Sequence, residues 1–320
     1  MTANGPISVT EYADGVTVID AGFVREHMAA CYLVEAGSEL AFIEVGTNSS
    51  TPRLMKTLEE RGWKPEQVRY VIVTHVHLDH AGGAGSLMQL LPNATLLVHP
   101  YGARHMIDPA KLEAGARGVY GDDLFDRTYG TLIPVDKDRV QIMEEGDEVS
   151  LGGRQLRFID TPGHARHHFC VHDSQSNGWF TGDTFGLSYR EFDTEKGAFV
   201  LPTTTPIQFD PEALKQSVNR LVADGPDCMY LTHYGRVDDV QRLAKDMLEG
   251  VDTLAGFAEQ FKDHPLRRQQ IEAAMGDWLL ERLRKHGVTL SDEACLALLQ
   301  PDIVLNTQGI EFWLDHRKDG

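Results

Sequence analysis

An α+β fold with a helical C-terminal region is what this sequence predicts, on three observations. Between residues 16 and 236, short β-branched apolar runs alternate with turn signals and helix-length segments. From residue 240 onward apolar residues recur at helical spacing, as in Val240, Leu243, Ala244, Met247, Leu248 and Val251. Four times, a strand-like run ends in a metal-ligand type of side chain, usually beside a glycine. The chain therefore divides into a main domain at 1–236 and a helical region at 237–320.

In chain order, residues 16–19, 31–34 and 40–44 read as short strands separated by Asp-Gly and Gly-Ser turns. The third closes on Glu44-Val45-Gly46-Thr47, a loop that can face an active site. Thr51-Pro52 starts a helix that runs to about Arg61 and is stopped by Gly62. Tyr70-Val71-Ile72-Val73 is a buried strand by composition, 85–91 a helix, and 94–98 the next strand. Residues 102–140 lack strand alternation and read as helical pieces and a loop. Such an insertion serves as a pocket wall or lid, or equally as surface elaboration or an oligomer contact. Strands resume at 139–142, 148–151 and 155–160, then near 168–172, 178–182 and 228–231. Phe199 to Ile207, with Pro202, Thr203, Thr204, Thr205 and Pro206, reads as a polar loop. Beyond 237 four helices are expected. The second spans 267–286, the third starts at a Ser291 cap and ends before Pro301, and the fourth spans 304–316.

The densest chemistry lies in Thr74-His75-Val76-His77-Leu78-Asp79-His80-Ala81-Gly82-Gly83. In an extended chain His75 and His77 leave from one face, with Asp79 and His80 following at the strand end. A lone histidine there would read as a satisfied polar side chain. Four candidate ligands within six positions point instead to a borderline divalent cation such as zinc, iron or manganese. Thr161-Pro162-Gly163-His164, Gly182-Asp183 and Thr232-His233-Tyr234-Gly235 repeat the pattern at later strand ends.

Composition narrows the partners. The 320 residues are 42% hydrophobic, enough for a substantial core, and 48 acidic against 30 basic side chains give a net charge of −18. That balance disfavours unaided binding to nucleic acid or anionic membranes. Cys31, Cys170, Cys228 and Cys295 form no CxxC pair and read as reduced, buried side chains of a cytoplasmic protein. Residues 1–6 lack the basic-then-apolar pattern of an export signal, and no apolar run reaches membrane-spanning length.

Taken together, THVHLDHAGG, TPGH, the Gly182-Asp183 pair and THYG, in that order across residues 16–236, resemble the metallo-β-lactamase-fold superfamily of hydrolases. The resemblance implies a four-layered αββα sandwich with a catalytic metal site along one edge. It implies that His75, His77 and His164 hold one metal, that Asp79, His80 and His233 hold a second, and that Asp183 bridges them. His168, four positions after His164 as in the glyoxalase II-like branch, would support the ligands from behind. Two such cations about 3.5–4 Å apart supply hydroxide near neutral pH, with Asp79 able to orient its proton. The implied activity is hydrolysis of a small ester: a phosphoester, thioester or lactone. Tyr129, Phe185, Tyr189 and Arg190 are candidate pocket residues, with Phe199 nearby, though each aromatic reads equally well as core. The stretch after Asp183 does not match glyoxalase II itself. The alternatives are a mono-iron oxidoreductase of the same fold, persulfide dioxygenase-like, or a metal-binding sensor with little turnover. The expected partner is a small-molecule substrate, and the helical region could pair two copies as a homodimer.

Overall fold

The computed structural model describes residues 7–205 and 207–317. Residues 1–6, where the export-signal reading falls, and Pro206 of the threonine-rich loop lie outside the described residues. The chain divides into two compact units.

Unit one is drawn from Met1–Asp160, His167–Gly182 and Cys228–Arg236. Its first sheet opens with the antiparallel run β1 (Val9–Tyr12), β2 (Val16–Asp20), β3 (Ala30–Ala36) and β4 (Glu39–Ile43). Helix α1 (Thr51–Glu60) returns the chain to β5 (Val68–Ile72), parallel to β4. After α2 (Leu78–Ala81) and α3 (Ala84–Leu90), strand β6 (Thr95–Val98) adds in parallel. The insertion α4 (Pro100–Ile107), α5 (Ala110–Tyr120) and α6 (Asp122–Thr128) precedes β7 (Val140–Ile142), the last strand of this seven-stranded sheet. The second sheet holds β8 (Glu148–Leu151), β9 (Arg154–Asp160), β10 (Phe169–Asp173), β11 (Gly178–Gly182), β12 (Cys228–Leu231) and β13 (Gly235–Val237), in the order β13-β12-β11-β10-β9-β8. There β11 and β12 pair in parallel, and β8–β9, β9–β10 and β10–β11 antiparallel.

The sequence dictates the layering. In β3, β4 and β5 alternate residues belong to two different cores. Leu33, Phe42 and Val71 pack with Leu54 and Leu58 of α1 and Leu87 of α3. Tyr32, Ile43 and Ile72 pack with Phe158, Phe169 and Phe180 of the second sheet. A strand buried on both faces reads as a continuous apolar run rather than an alternating one, which is how these strands appear in the sequence. The two sheets thus face each other, with helices over the outer face of the first.

Unit two is drawn from Thr161–Arg166, Asp183–Asp227 and Val237–Gly320. It contains α7 (Pro211–Ala223), α8 (Val240–Phe261), α9 (Arg267–His286) and α10 (Asp292–His316). α7 packs on α8, and α8, α9 and α10 pack on one another. None of the described helices is long and apolar enough to cross a membrane.

Three expectations change. The helices expected at 291–300 and 304–316 are one continuous α10 with Pro301 inside it. Proline removes one helical hydrogen bond and crowds the preceding turn, but flanking contacts hold the helix through it. Leu299, Ile303 and Ile310 are buried, and the Asn306 side chain accepts from the Thr204 amide (2.8 Å) and donates to the Pro202 carbonyl (3.1 Å). Secondly, β5 ends at Ile72, and Asp79 and His80, expected at a strand end, belong to α2. Finally, β1, β13 and α7 had no counterpart among the expected elements. For α7 the signals are present: Asp210 caps the Ala213 amide at 3.0 Å, Pro211 takes the first position, and Leu214, Val218 and Leu221 are buried on one face. All four cysteines are buried, and among the described residues none is in a disulfide.

Candidate metal centre

The C-terminal ends of β4, β5 and β12 deliver the chemistry of unit one. Backbone bonds tie their loops together: Val45 donates to the His80 carbonyl (2.9 Å), Phe169 to that of Thr74 (2.9 Å), and Ala30 to that of Thr232 (2.8 Å). Just past β4, Glu44 adopts φ +61°, a left-handed conformation that is costly for a residue with a Cβ. Its carboxylate is buried; one oxygen accepts from the Thr74 amide (2.8 Å) and the other lies 2.8 Å from His80 Nδ1.

Those bonds select the tautomer of a neutral ring. With Nδ1–H of His80 donated to Glu44, its Nε2 carries the lone pair, and it lies 3.7 Å from Asp79 Oδ2. His233 is arranged the same way: Nδ1 donates to the Met28 carbonyl (2.6 Å) and Nε2 lies 3.3 Å from the same Asp79 oxygen. Ligand atoms of Asp79, His80 and His233 all fall within 4.8 Å of one another. His75 and His77 sit alongside, with His75 Nε2 2.8 Å from His77 Nδ1, and the His75 ring 4.0 Å from that of His80. His168, fully buried, stacks on His75 with ring centres 4.8 Å apart. Gly182 sits at φ +48°, where a Cβ would come within 2.6 Å of His168 Nε2, so only glycine fits there.

Unit two repeats the motif with its own residues. His164 Nε2 lies 3.3 Å from Asp183 Oδ2, and its Nδ1 lies 3.4 Å from the Thr203 carbonyl; both side chains are buried. Thr205 fixes the backbone by donating to the His164 carbonyl (2.9 Å). Three histidines therefore share one arrangement, Nδ1 toward an oxygen of the protein and Nε2 toward an aspartate. Metal-ligating histidines are oriented in this way. Neutral imidazoles with carboxylates fit a borderline divalent cation such as zinc, iron or manganese.

The candidate pocket residues have varied surroundings. In unit one, Tyr129 is buried against Phe125, Leu78 and Leu132. Burial, and then the charge of Asp79, push its phenol well above the usual range. In unit two, Phe185 and Tyr189 are buried, and the Tyr189 hydroxyl donates to the Asp302 carboxylate of α10 (3.1 Å). Arg190 donates to the Ser188 carbonyl (2.7 Å) and pairs with Asp193 (3.3 Å). Outside the expected ligand set, His99 caps α4 and bonds Asp160 (3.0 Å), and His172 bonds Asn177 (3.2 Å). His167, by contrast, adjoins the cluster, 5.4 Å from the His77 ring. Glu44 was read only as part of a loop. Its signal was an acidic residue closing an apolar strand one register away from the histidine-bearing one.

The family model of the metallo-beta-lactamase superfamily matches residues 24–233. The chain belongs to that superfamily. Over 218 residues it is 30% identical to the metallo-beta-lactamase fold-containing protein ST1585 of Sulfurisphaera tokodaii, covering 65% of this chain and 77% of that one. The crystal structure of ST1585 aligns over 92% of this chain and 98% of its own, with a TM-score of 0.66 at 26% identity. Human acyl-coenzyme A thioesterase MBLAC2 is 29% identical over 191 residues, covering 53% of this chain and 63% of the thioesterase. Hydroxyacylglutathione hydrolase of Klebsiella pneumoniae is 25% identical over 131 residues, covering 41% of this chain and 38% of the hydrolase. The two-sheet α+β architecture and the histidine- and aspartate-rich clusters agree with that membership.

Proposed function

We propose that the chain is a dinuclear metal-dependent hydrolase of small ester-type substrates, with acyl thioesters the class to test first. The observation that carries this reading is the shared carboxylate oxygen of Asp79, approached by Nε2 of both His80 and His233 while Glu44 and Met28 take their Nδ1 protons. In this reading Asp79, His80 and His233 hold one cation, His75, His77 and His164 the other, and Asp183 bridges them. When bound, such cations supply Lewis acidity, activating water near neutral pH and polarising an acyl oxygen.

The chain's own residues do the rest. Glu44 holds the proton on Nδ1 of His80, fixing the tautomer and making Nε2 a better donor to a cation. The Met28 carbonyl does the same for His233. Asp79, partly exposed, is placed to orient an incoming polar group. Phosphoesters and lactones remain within the substrate class. The thioester preference comes from the acyl-coenzyme A and hydroxyacylglutathione substrates in the names of two relatives.

The test is turnover of a panel of acyl thioesters, phosphoesters and lactones by protein reconstituted with zinc, iron or manganese, with and without chelator. Thioester hydrolysis above that of the free metal, abolished by chelation, supports the reading. Metal-bound protein inert on the whole panel contradicts it and favours a sensor. Oxygen consumption with a persulfide favours the mono-iron oxidoreductase.

A further inference from the structure

Within unit two, the C-terminal helix α10 holds the segment that faces His164. Asn306 is 2% exposed on that helix. Its Oδ1 accepts from the Thr204 amide (2.8 Å), and its Nδ2 donates to the Pro202 carbonyl (3.1 Å). One partner can only donate and the other can only accept, so the orientation of the carboxamide is fixed. The two bonds bracket Thr203. Four positions earlier on the same helix face, the Asp302 carboxylate accepts from the Tyr189 hydroxyl (3.1 Å). A pair of backbone bonds between Leu187 and Leu201 (2.9 and 3.0 Å) joins the segment of Tyr189 to that of Thr203. Gly309 completes the contact: a Cβ there would come within 2.1 Å of Thr204 Oγ1 and 2.5 Å of the Thr205 carbonyl.

The amide bound by Asn306 and the carbonyl facing His164 belong to one peptide group. In the planar trans link between Thr203 and Thr204, N–H and C=O point in opposite directions. Asn306 holds the N–H at one end, and at the other the Thr203 carbonyl lies 3.4 Å from His164 Nδ1. Hydrogen bonds linked through a peptide group polarise one another, so the bond to Asn306 makes the Thr203 carbonyl a better acceptor. With Nδ1–H donated to that carbonyl, the lone pair of the neutral ring sits on Nε2, 3.3 Å from Asp183 Oδ2. Thr205 donates to the His164 carbonyl (2.9 Å), so the segment fixed by Asn306 meets both the ring and the backbone of His164. A helix that merely covered this segment would need apolar contacts alone. A buried carboxamide with both ends bonded specifies one register.

We propose that Asn306 is a positioning residue of the metal centre, acting from α10 through the Thr203–Thr204 peptide to hold His164 ready for a cation. This rests on the reading of His164 and Asp183 as metal ligands in the proposed function. The C-terminal helix then supports the metal centre directly and is more than a cap on the fold.

The experiment titrates zinc against a competing chelator in full-length wild type, Asn306→Leu, Asn306→Asp and Ile271→Ala, with Tm recorded on the same proteins stripped of metal. Ile271 is fully buried on α9 and controls for lost stability alone. In Asn306→Leu one of the two zinc ions should bind about 10–100-fold more weakly, while the other keeps its wild-type affinity. Asn306→Asp retains an acceptor for the Thr204 amide and should fall between wild type and Asn306→Leu, whatever its Tm. Ile271→Ala should lower Tm and leave both affinities at wild type. Cobalt-loaded Asn306→Leu should show altered visible absorption, since a ligand of one ion is displaced. Wild-type affinity for both ions in Asn306→Leu would overturn the proposal, as would affinities that simply follow Tm across the series. Should Asn306→Leu not fold, Gly309→Ala takes its place, pressing α10 against Thr204 and Thr205, and wild-type affinities there would overturn the proposal equally. A wild type that binds no zinc overturns the metal reading itself, and the proposal with it.

Discussion

Unit one contains two buried polar clusters built on opposite principles. Around Asp173 every neighbour is a donor: Arg154 bonds it through two guanidinium nitrogens, and Ser176 and Gln175 add their amides (3.0 and 3.1 Å). Arg154 also donates to the carbonyls of Asp14 (2.7 Å) and Glu35 (3.3 Å), so the charge pair is complete within the protein. Around Asp79 the nearest ring nitrogens are Nε2 of His80 and His233, whose Nδ1 atoms face Glu44 and Met28, so in the neutral rings they are acceptors. Donors converging on a carboxylate make a structural ion pair. Lone pairs converging on a carboxylate make a cation site. Burial and residue type alone would not separate the two clusters.

The largest effect should come from the acceptor cluster. Asp79→Asn exchanges one acceptor oxygen for a donor amide and should abolish hydrolysis while lowering bound metal, read by activity and elemental analysis on the same sample. Retained metal and activity would break the comparison. In the donor cluster, Asp173→Asn leaves Arg154 buried without its counter-charge and should cost about 3–5 kcal/mol in urea unfolding. The folded fraction should keep its metal. A smaller effect is expected from Glu44→Gln, which keeps the size of the side chain but loses the charge behind His80. Metal affinity or activity should fall about 10–100-fold with the fold intact, checked by competition with a chelator.

The smallest test is pH dependence. Burial raises the Asp173 carboxyl, but hydrogen bonds and charge from Arg154, with Ser176 and Gln175, outweigh it and hold the group below its usual range. A depressed folded-state pKa stabilises the protein above the unfolded value of about 3.9, and the stabilisation drains away as pH falls below it. Urea midpoints of wild type should therefore drop below about pH 4 more steeply than those of Asp173→Asn.

Much of this was legible in the sequence because strand ends and glycines are local signals. The run from Tyr70 to Gly83 announces both the buried strand and its ligands, and the limits of α9 follow from one helical pattern and Gly287. What stayed hidden depends on contacts distant in sequence. Nothing near Glu44 announces His80, which is 36 positions away. Pro301 is a sound stop signal until Asn306 meets Pro202 and Thr204, about 100 residues upstream.

The most direct test of the central claim is metal per chain, measured by elemental analysis on protein purified without chelator. Roughly two divalent ions per chain, falling in Asp79→Asn and unchanged in the folded fraction of Asp173→Asn, is the result the acceptor-cluster account requires. A chain that carries no metal, or that keeps its full complement when Asp79 is replaced, would contradict it.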